Sequence, residues 1–268
     1  MEKIIQVKNI DFTYPTSKRQ ILRNCSFDLH EGELLSILGP NGAGKSTLLN
    51  CACDLLTPQK GEVILEENNI CKLQRKDIAK VIGYVQQTQM STFSYTVFDY
   101  VLMGRAATIG TFCKPKQEDY DFVSEVLKSM NLEYLSDSLI TEISGGERQQ
   151  AAIARAIAQN PKVIFFDEPT AHLDYGNQIK TLQLIGSLRD KGFAVIMTTH
   201  NPDHCMMLGG TVAILDKEGN LEAGPCKEIM TEARLKRVYN TELRLIYVDE
   251  IHREVCVPYG LSYNLPKN

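Results

Sequence analysis

A glycine-rich segment at residues 39–47 constrains the fold of this chain more than any other feature. Its sequence, GPNGAGKST, fits the pattern GxxxxGK followed by Ser or Thr, and it lies between the apolar run Leu34–Leu38 and a helix-compatible stretch at 47–53. Glycines permit a tight turn whose backbone N–H groups point inward, and a following helix adds the positive end of its dipole. The segment therefore predicts a loop that holds polyphosphate oxygens.

Lys45 and Ser46 carry the chemistry of this predicted phosphate loop. We expect the Lys45 ammonium to reach the β- and γ-phosphates of a nucleotide and the Ser46 hydroxyl to be a ligand of Mg²⁺. A chance match to the pattern in a chain of this length is on the order of 1%. The other loop residues predicted to bind ATP are Gly39, Pro40, Asn41, Gly42, Ala43, Gly44 and Thr47.

Two carboxylates end a second apolar run. Asp167 and Glu168 follow Val163–Phe166 directly, and the carboxyl edge of an open α/β sheet is where ligands bind. We expect Asp167 to hold Mg²⁺, through water, and Glu168 to polarise the attacking water as general base. Taken alone, the pattern fits a strand that merely ends in a polar turn, but the phosphate loop favours the catalytic interpretation.

His200 follows a third apolar run, at 194–197, and the pair Thr198-Thr199. This order predicts a contact between His200 and the γ-phosphate at the same edge of the sheet. A metal pair with His204 and a plain structural histidine remain alternatives. Pro202 between the two histidines and the lack of an evident third ligand count against the metal pair.

The order of predicted elements indicates an α/β fold. Helical stretches separate the three apolar strands, which favours right-handed crossovers in a parallel sheet, preceded by half-exposed antiparallel strands at 4–7, 11–14 and 24–29. Helix signals accumulate between 88 and 159, including Thr96-x-x-Asp99 and a stretch at 118–130. We predict one domain at 1–240, with a core at 1–87 and 160–240, a helical subdomain at 88–159, and a short tail at 241–268.

Composition narrows the possible partners. The 268 residues carry a net charge of -4, which gives no global attraction to nucleic acid or to anionic lipid. No apolar run approaches the roughly 20 residues of a membrane-spanning helix, and the N-terminus lacks the apolar stretch of a secretory signal. Eight cysteines without CxxC spacing predict reduced thiols. Any membrane role is therefore expected to depend on a partner.

Residues 143–150, ISGGERQQ, begin another predicted helix. Ser144 and Glu147 form a capping box, but a cap does not need two glycines, each of which costs about 1 kcal/mol relative to Ala. Bare N–H groups at a helix start suit an anion. Together with GPNGAGKST, VIFFDEPT at 163–170, AHLD at 171–174 and TTH at 198–200, in this order, the chain resembles the ATP-binding cassette (ABC) ATPases over residues 1–240.

The resemblance implies a P-loop NTPase cassette with a RecA-like parallel-sheet core, an antiparallel N-terminal β part and an inserted helical subdomain. It implies a head-to-tail homodimer that holds two Mg-ATP, in which Asp174 couples the two sites. It also implies that the ATP of a second copy is contacted in trans by Ser144, Gly145, Gly146 and Glu147. Ile143 and Glu147 replace the usual Leu and Gln of this segment.

Two further roles are implied by the resemblance. Tyr14 is similar to the aromatic residue that stacks on adenine, although an ordinary strand aromatic fits the position equally well. Gln87 is similar to the glutamine that ligates Mg²⁺ and links the core to the helical subdomain. Its neighbour Gln86 replaces a common Pro and remains an alternative for that glutamine.

Two stretches, TVFDYVLMGR at 96–105 and PTAHLDYGNQ at 169–178, resemble the ATPases of importers for ferric siderophores, haem and cobalamin. Importers of molybdate or tungstate are similar too. The implied partners are a multi-spanning permease and, indirectly, a substrate-binding protein, with the ATPase held by the permease at the cytoplasmic face of the cell membrane. For 96–105, a capped helix that is closed by Gly104 and merely packs in the core is the alternative.

Two other functions remain open: a non-transport cassette ATPase acting on DNA, ribosomes or a cofactor-assembly complex, and a simpler P-loop kinase or GTPase. A single phosphate loop and the lack of a basic stripe count against the first, so no nucleic-acid partner is expected. The SGGE segment and Asp174 count against the second.

Overall fold

The computed structural model describes residues 2–86, 94–109 and 113–259. Its strands are β1 (Lys3–Thr13), β2 (Gln20–His30), β3 (Leu34–Leu38), β4 (Lys60–Leu65), β5 (Asn68–Asn69), β6 (Ile82–Val85), β7 (Val163–Phe166), β8 (Ala194–Thr199), β9 (Thr211–Leu215), β10 (Leu221–Pro225), β11 (Leu243–Val248) and β12 (Arg253–Pro258). Its helices are α1 (Lys45–Ala52), α2 (Arg75–Val81), α3 (Val97–Leu102), α4 (Gln117–Ser129), α5 (Gly145–Ala158), α6 (Tyr175–Asp190), α7 (Pro202–Leu208), α8 (Cys226–Ile229) and α9 (Glu232–Tyr239).

A six-stranded sheet in the order β10-β9-β3-β8-β7-β6 forms the centre of the molecule. Its strands pair in parallel except for β10, which is antiparallel to β9. The three predicted buried strands, β3, β7 and β8, are buried along their whole length. Polar Thr198 and Thr199 extend β8 beyond its predicted end, which places them inside the sheet directly before His200. The predicted α/β fold with a parallel core is confirmed.

Two parallel strands, β6 and β9, are missing from the sequence-based prediction. Each is only four or five residues long, and β6 contains Gly83. Short apolar runs of this kind do not separate strand from helix by periodicity. They become strands because β7 and β3 offer free edges for parallel pairing.

The two faces of the central sheet bury different cores. One face, with Leu35, Ile37 and Phe165, packs on the four-stranded antiparallel sheet β2-β1-β4-β5 and on α1. The other face, with Ile164 and Phe166, packs on α5 and α6. Alternate residues of one strand point to opposite faces, so the continuous apolar strands are explained by burial on both sides.

The antiparallel strands run further than predicted. β1 and β2 are each continuous over 11 residues, whereas shorter segments at 4–7, 11–14 and 24–29 were expected. The polar interruptions are irregularities within the strands, where Asn9 and Asn24 adopt positive φ angles of 51° and 49°. Asn tolerates this conformation better than most residues. The Ser26 hydroxyl and the Asp11 carboxylate accept the backbone N–H groups of these two residues.

Helices α3, α4 and α5 surround a separate apolar core that includes Val97, Val123 and Ala154. The predicted capping box is present at Ser144 and Glu147, and Thr96 caps α3. The helix expected over 96–105 ends at Leu102 and continues as a 3₁₀ turn, Met103–Ala107. The turn forms because Arg105 donates to the Ala158 carbonyl and to Asp119, which ties it to α5 and α4.

The last described elements form an antiparallel hairpin, β11–β12. Leu245 and Cys256 pack with α7 and α9 around a fourth apolar cluster. The backbone N–H of Cys256 donates to the Asp203 carboxylate at 3.0 Å, which fixes the hairpin to the start of α7. Among the helices of residues 2–86, 94–109 and 113–259, none combines the length and the hydropathy required to cross a membrane.

Candidate functional site

The glycine-rich loop connects buried β3 to α1, as the sequence predicts. Gly44 has a φ of 109°, and a Cβ there would lie 2.6 Å from Cγ2 of Ile21, so only glycine fits. Among the described side chains, none caps the start of α1. The first N–H groups of a helix need partners from outside it. The loop therefore presents backbone donors to an anion at the positive end of the helix dipole.

Lys45 points back across this loop. Its side chain is 4% exposed, and its Nζ donates to the carbonyl oxygens of Gly39, at 2.9 Å, and Pro40, at 3.2 Å. The same Nζ lies 3.0 Å from Oε1 of Glu168. The ammonium is thus held between the loop and the carboxylate at the end of β7.

The Asp167 carboxylate accepts hydrogen bonds from hydroxyl groups on three elements. Its Oδ1 accepts from the Ser46 hydroxyl at 2.9 Å and from the Thr198 hydroxyl at 2.8 Å, and its Oδ2 accepts from Tyr84 at 3.5 Å. Such hard oxygen donors suit Mg²⁺, which keeps several waters and takes one or two protein ligands beside substrate phosphates. No group of three His, Cys, Asp or Glu residues suited to a metal occurs in the described part of the chain. The oxygen atoms of Ser46 and Asp167 are of the kind that a magnesium ion takes as ligands.

The backbone of Glu168 adopts a positive φ angle. Its φ is 46°, uncommon for a residue with a side chain, and its N–H donates to the Thr198 hydroxyl at 2.8 Å. The carboxylate is 17% exposed, with Oε1 beside Lys45 and Oε2 3.4 Å from Nδ1 of His200. The two oxygens of Glu168 are consequently held by two different side chains.

A cleft of about 420 Å³ opens beside these groups. Tyr14 lies in its wall, 36% exposed, with its ring edge-on to Phe12 and its hydroxyl 3.0 Å from Oγ1 of Thr47. Residues of the phosphate loop and the carboxylate of β7 line the rest, including Asn41, Gly42, Gly44, Lys45, Ser46 and Glu168. One cleft therefore combines an exposed aromatic ring, an anion-binding loop and a carboxylate.

A sequence match shows the family of this chain. Residues 22–171 match the ABC transporter family. The chain belongs to the ABC transporter ATPases. ATP hydrolysis is the activity expected of this family, whose ATP-binding subunits bind adenine nucleotides.

Individual relatives resemble this ABC ATPase over nearly its whole length. It is 36% identical to the molybdate import ATP-binding protein MolC of Haemophilus influenzae, over 90% of this chain and 89% of MolC. It is 31% identical to the ferric enterobactin transport ATP-binding protein FepC of Escherichia coli, over 97% of this chain and 96% of FepC. A solved metal-chelate type ABC transporter in an inward-facing conformation superimposes with a TM-score of 0.85 at 34% identity, covering 97% of this chain and 98% of that one.

The segment at Ser144 lies outside the lining of the cleft in the described chain of this ABC ATPase. The Ser144 hydroxyl accepts the N–H of Glu147 at 3.3 Å, and the Glu147 carboxylate accepts the N–H of Ser144 at 2.8 Å. Tyr134 donates to the second Glu147 oxygen at 3.0 Å. The hydrogen bonds from Ser144 and Tyr134 hold the pKa of Glu147 below its usual range, so the carboxylate is charged.

Two other predicted residues are separate from the cleft. Asp174 caps α6 and accepts the N–H of Asn177 at 2.8 Å, and this hydrogen bond lowers the pKa of its carboxyl. Gln87, the predicted Mg²⁺ ligand, lies outside the described residues. Its alternative, Gln86, is exposed immediately after β6. The structure thus brings the phosphate loop, Asp167, Glu168 and His200 together, whereas Ser144 and Asp174 occupy the starts of α5 and α6.

His204 is a structural histidine. It is 6% exposed, its Nδ1 lies 3.0 Å from the Thr199 hydroxyl, and its Nε2 lies 3.2 Å from the Asn201 amide. Burial, together with the nearby His200, lowers its pKa to about 4. The neutral ring anchors α7 to the end of β8, directly behind His200.

His204→Gln should weaken the acid sensitivity of the fold. The pKa of His204 is near its ordinary value of 6.5 in the unfolded chain and about 4 in the folded one, so unfolding takes up a proton between these values and stability falls as the pH decreases. This linkage lowers the free energy of unfolding by about 2 kcal/mol between pH 7 and pH 5. Urea unfolding at both pH values should show a smaller difference for His204→Gln than for the wild type. Exposed His252→Gln is the control, and equal pH differences in all three proteins would refute this role.

The contacts that two residues make in the site were not predicted from the sequence. Thr198 joins Asp167 to the backbone of Glu168, and the signal that could have identified it is a hydroxyl at the end of an apolar strand. Tyr239 of α9 donates to the carbonyl oxygen of His200 at 2.8 Å. It lies 39 residues from that histidine in the sequence, and no local pattern indicates the contact.

Proposed function

We propose that this ABC ATPase hydrolyses ATP to power a membrane importer of a metal chelate: a ferric siderophore, haem or cobalamin. The observation that carries the enzymatic part is the cluster of Lys45, Glu168 and His200 at the carboxyl edge of the sheet, beside the phosphate loop. The similarity to FepC and to the metal-chelate type transporter supports the choice of a metal chelate as the transported substrate.

Within this proposal the cleft binds ATP. Tyr14 stacks on the adenine, a contact worth about 1–3 kcal/mol by analogy with nucleic-acid bases. The N–H groups of residues 39–47 and the Lys45 ammonium bind the phosphates. Ser46, Asp167 and the predicted Gln87 hold Mg²⁺. The ion, when bound, neutralises phosphate charge during phosphoryl transfer.

Glu168 acts as the general base. One of its oxygens takes the proton of the attacking water, and Lys45 and His200 hold the carboxylate in position from either side. The Thr198 hydroxyl contributes by fixing the backbone N–H of Glu168. His200 also contacts the γ-phosphate. Its side chain is 51% exposed, so a bound nucleotide can reach it.

The working unit is a head-to-tail homodimer. ABC ATPases form dimers and work with permease subunits in importers. We place Ser144, Gly145, Gly146 and Glu147 against the ATP of the second copy, with Asp174 coupling the two sites. Two copies close around two ATP, drive the permease between orientations and reopen after hydrolysis.

Each part of the chain has its own role in this function. The core at 1–87 and 160–240 binds nucleotide, the helical subdomain at 88–159 contacts the permease, and the tail at 241–268 follows the core. The separate apolar cluster around α3 and α4 supports this division. The permease holds the ATPase at the cytoplasmic face of the membrane and meets a substrate-binding protein. Import of molybdate or tungstate by the same mechanism is the second candidate, favoured by the identity to MolC.

Reconstitution tests the importer directly. The ATPase is combined in proteoliposomes with the permease and binding protein of the same operon, and ATP-dependent uptake is measured in parallel for a ferric siderophore, haem, cobalamin and molybdate. We expect uptake of a metal chelate, and none with Lys45→Ala. Uptake of molybdate alone would establish the second candidate. An active ATPase that associates with no permease and supports no uptake would refute both.

A further inference from the structure

We infer that Asn177, in the first turn of α6, is a positioning residue that couples the Ser144–Gly146 turn to Asp174 within one chain. The inference rests on the proposed function, in which both segments face the second copy. Asn177 is held by Asp174 on one side and packs against Gly146 on the other.

The first link is a pair of hydrogen bonds to Asp174. The backbone N–H of Asn177 donates to Oδ1 at 2.8 Å, and its side-chain Nδ2 donates to Oδ2 at 2.7 Å. An ordinary helix cap needs only the first of these bonds. The second occupies the other carboxylate oxygen, so Asp174 cannot turn without moving the Asn177 amide.

The second link is the contact with Gly146. A Cβ at residue 146 would lie 2.7 Å, 2.8 Å and 2.9 Å from Cγ, Oδ1 and Nδ2 of Asn177, closer than real Cβ atoms approach. The Asn177 amide therefore rests directly on the backbone of the Ser144–Gly146 turn. A Cβ at Gly145, by contrast, would meet nothing within 4 Å. Within one chain, packing explains the absent side chain of Gly146 but not that of Gly145.

These two links form a short path between the segments proposed to face the second copy. A shift of the Ser144–Gly146 turn, as it meets the ATP of the other copy, displaces the Asn177 amide. The displaced amide moves the Asp174 carboxylate through its hydrogen bond. Asn177 is not among the residues that line the described cleft, and so it should affect the rate of turnover more than the affinity for ATP.

A double-mutant cycle tests this path. The variants are Gly146→Ala, Asn177→Ala and their combination, with Gly145→Ala and its combination with Asn177→Ala as the matched control cycle. A methyl group at residue 146 pushes the amide away from Asp174, so Gly146→Ala already includes much of the loss caused by Asn177→Ala. For Asn177→Ala we expect kcat to fall about tenfold with KM for ATP within about twofold. The combination with Gly146→Ala should turn over within about threefold of Gly146→Ala alone, whereas the losses in the Gly145 cycle should multiply.

Asn177→Asp separates positioning from packing. It keeps the size of the side chain against Gly146, and a carboxylate in the first turn of a helix does not destabilise the helix. It replaces the donor to Asp174 with a like charge, and so kcat should fall at least as far as in Asn177→Ala, while circular dichroism should show that the variant is folded.

Wild-type kcat in Asn177→Asp, or multiplied losses in the Gly146 cycle, would overturn the inference and leave the proposed function intact. A wild-type chain that neither hydrolyses ATP nor dimerises with it would instead remove the proposed function.

Discussion

Replacing Glu168 by Gln is expected to stop ATP turnover while ATP still binds and the closed dimer accumulates. Gln has the same shape, and its amide oxygen can still accept from Lys45, but it cannot take a proton from water. A general base accounts for a rate factor on the order of 10²–10⁴, and kcat should fall by that amount. Steady-state phosphate release measures the loss, and the mass of the protein in solution with ATP measures dimer formation.

Glu31→Gln is the matched control, because Glu31 is an exposed residue after β2. It should turn over ATP like the wild type and should not accumulate as a dimer. Near-normal turnover in Glu168→Gln would contradict the assignment of the base. Loss of nucleotide binding in Glu168→Gln would mean that the carboxylate serves mainly to position Lys45.

Lys45→Ala is expected to abolish nucleotide binding or hydrolysis without unfolding the chain. The substitution removes the buried ammonium that lies 3.0 Å from Glu168 and donates to two loop carbonyls. Loss of one preorganised charge at a phosphoryl-transfer site lowers kcat/KM on the order of 10²-fold or more. Binding of a fluorescent ATP analogue and phosphate release measure the two steps separately.

The control for Lys45→Ala is Lys80→Ala, which breaks only an exposed ion pair with Asp77 in α2. Such pairs contribute about 0–1 kcal/mol to stability, so this variant should match the wild type in both assays. Circular dichroism should show the same fold in Lys45→Ala. Retained ATPase activity in a folded Lys45→Ala protein would contradict the function of the phosphate loop.

The positions of the phosphate loop and of the carboxylates at 167 and 168 could be predicted because they are encoded locally. A glycine-rich turn between a buried strand and a helix has one main use, and a carboxylate after an apolar strand lies at the ligand edge of a sheet. The parallel core follows from the same runs. Local sequence patterns predict these positions because, within each of the two motifs, residues that are adjacent in the sequence also lie together in the site.

The remaining parts of the site depend on packing between distant segments. Thr198 meets Asp167 across two adjacent strands, and Tyr239 reaches His200 from α9. Asn177 belongs to the motif at 169–178, yet its contact with Gly146 depends on how the starts of α5 and α6 come together. Strand ends were also misplaced where an Asn with positive φ allowed a strand to continue. Sequence periodicity does not report such tertiary effects.

We propose that each ATP site combines the phosphate loop of one copy with the Ser144 segment of the other. Mixing two defective chains, Lys45→Ala and Ser144→Arg, tests this composite site, and each chain also carries Glu168→Gln so that bound ATP is retained. In a head-to-tail dimer one site of the mixed pair has both lesions and the other has neither.

The measurement is the number of ATP molecules retained per mixed dimer, isolated through different affinity tags. We expect no retained ATP in either chain alone and one ATP in each mixed dimer. Mixed dimers that retain no ATP, or ATP retained by the Ser144→Arg chain alone, would contradict the proposed composite site.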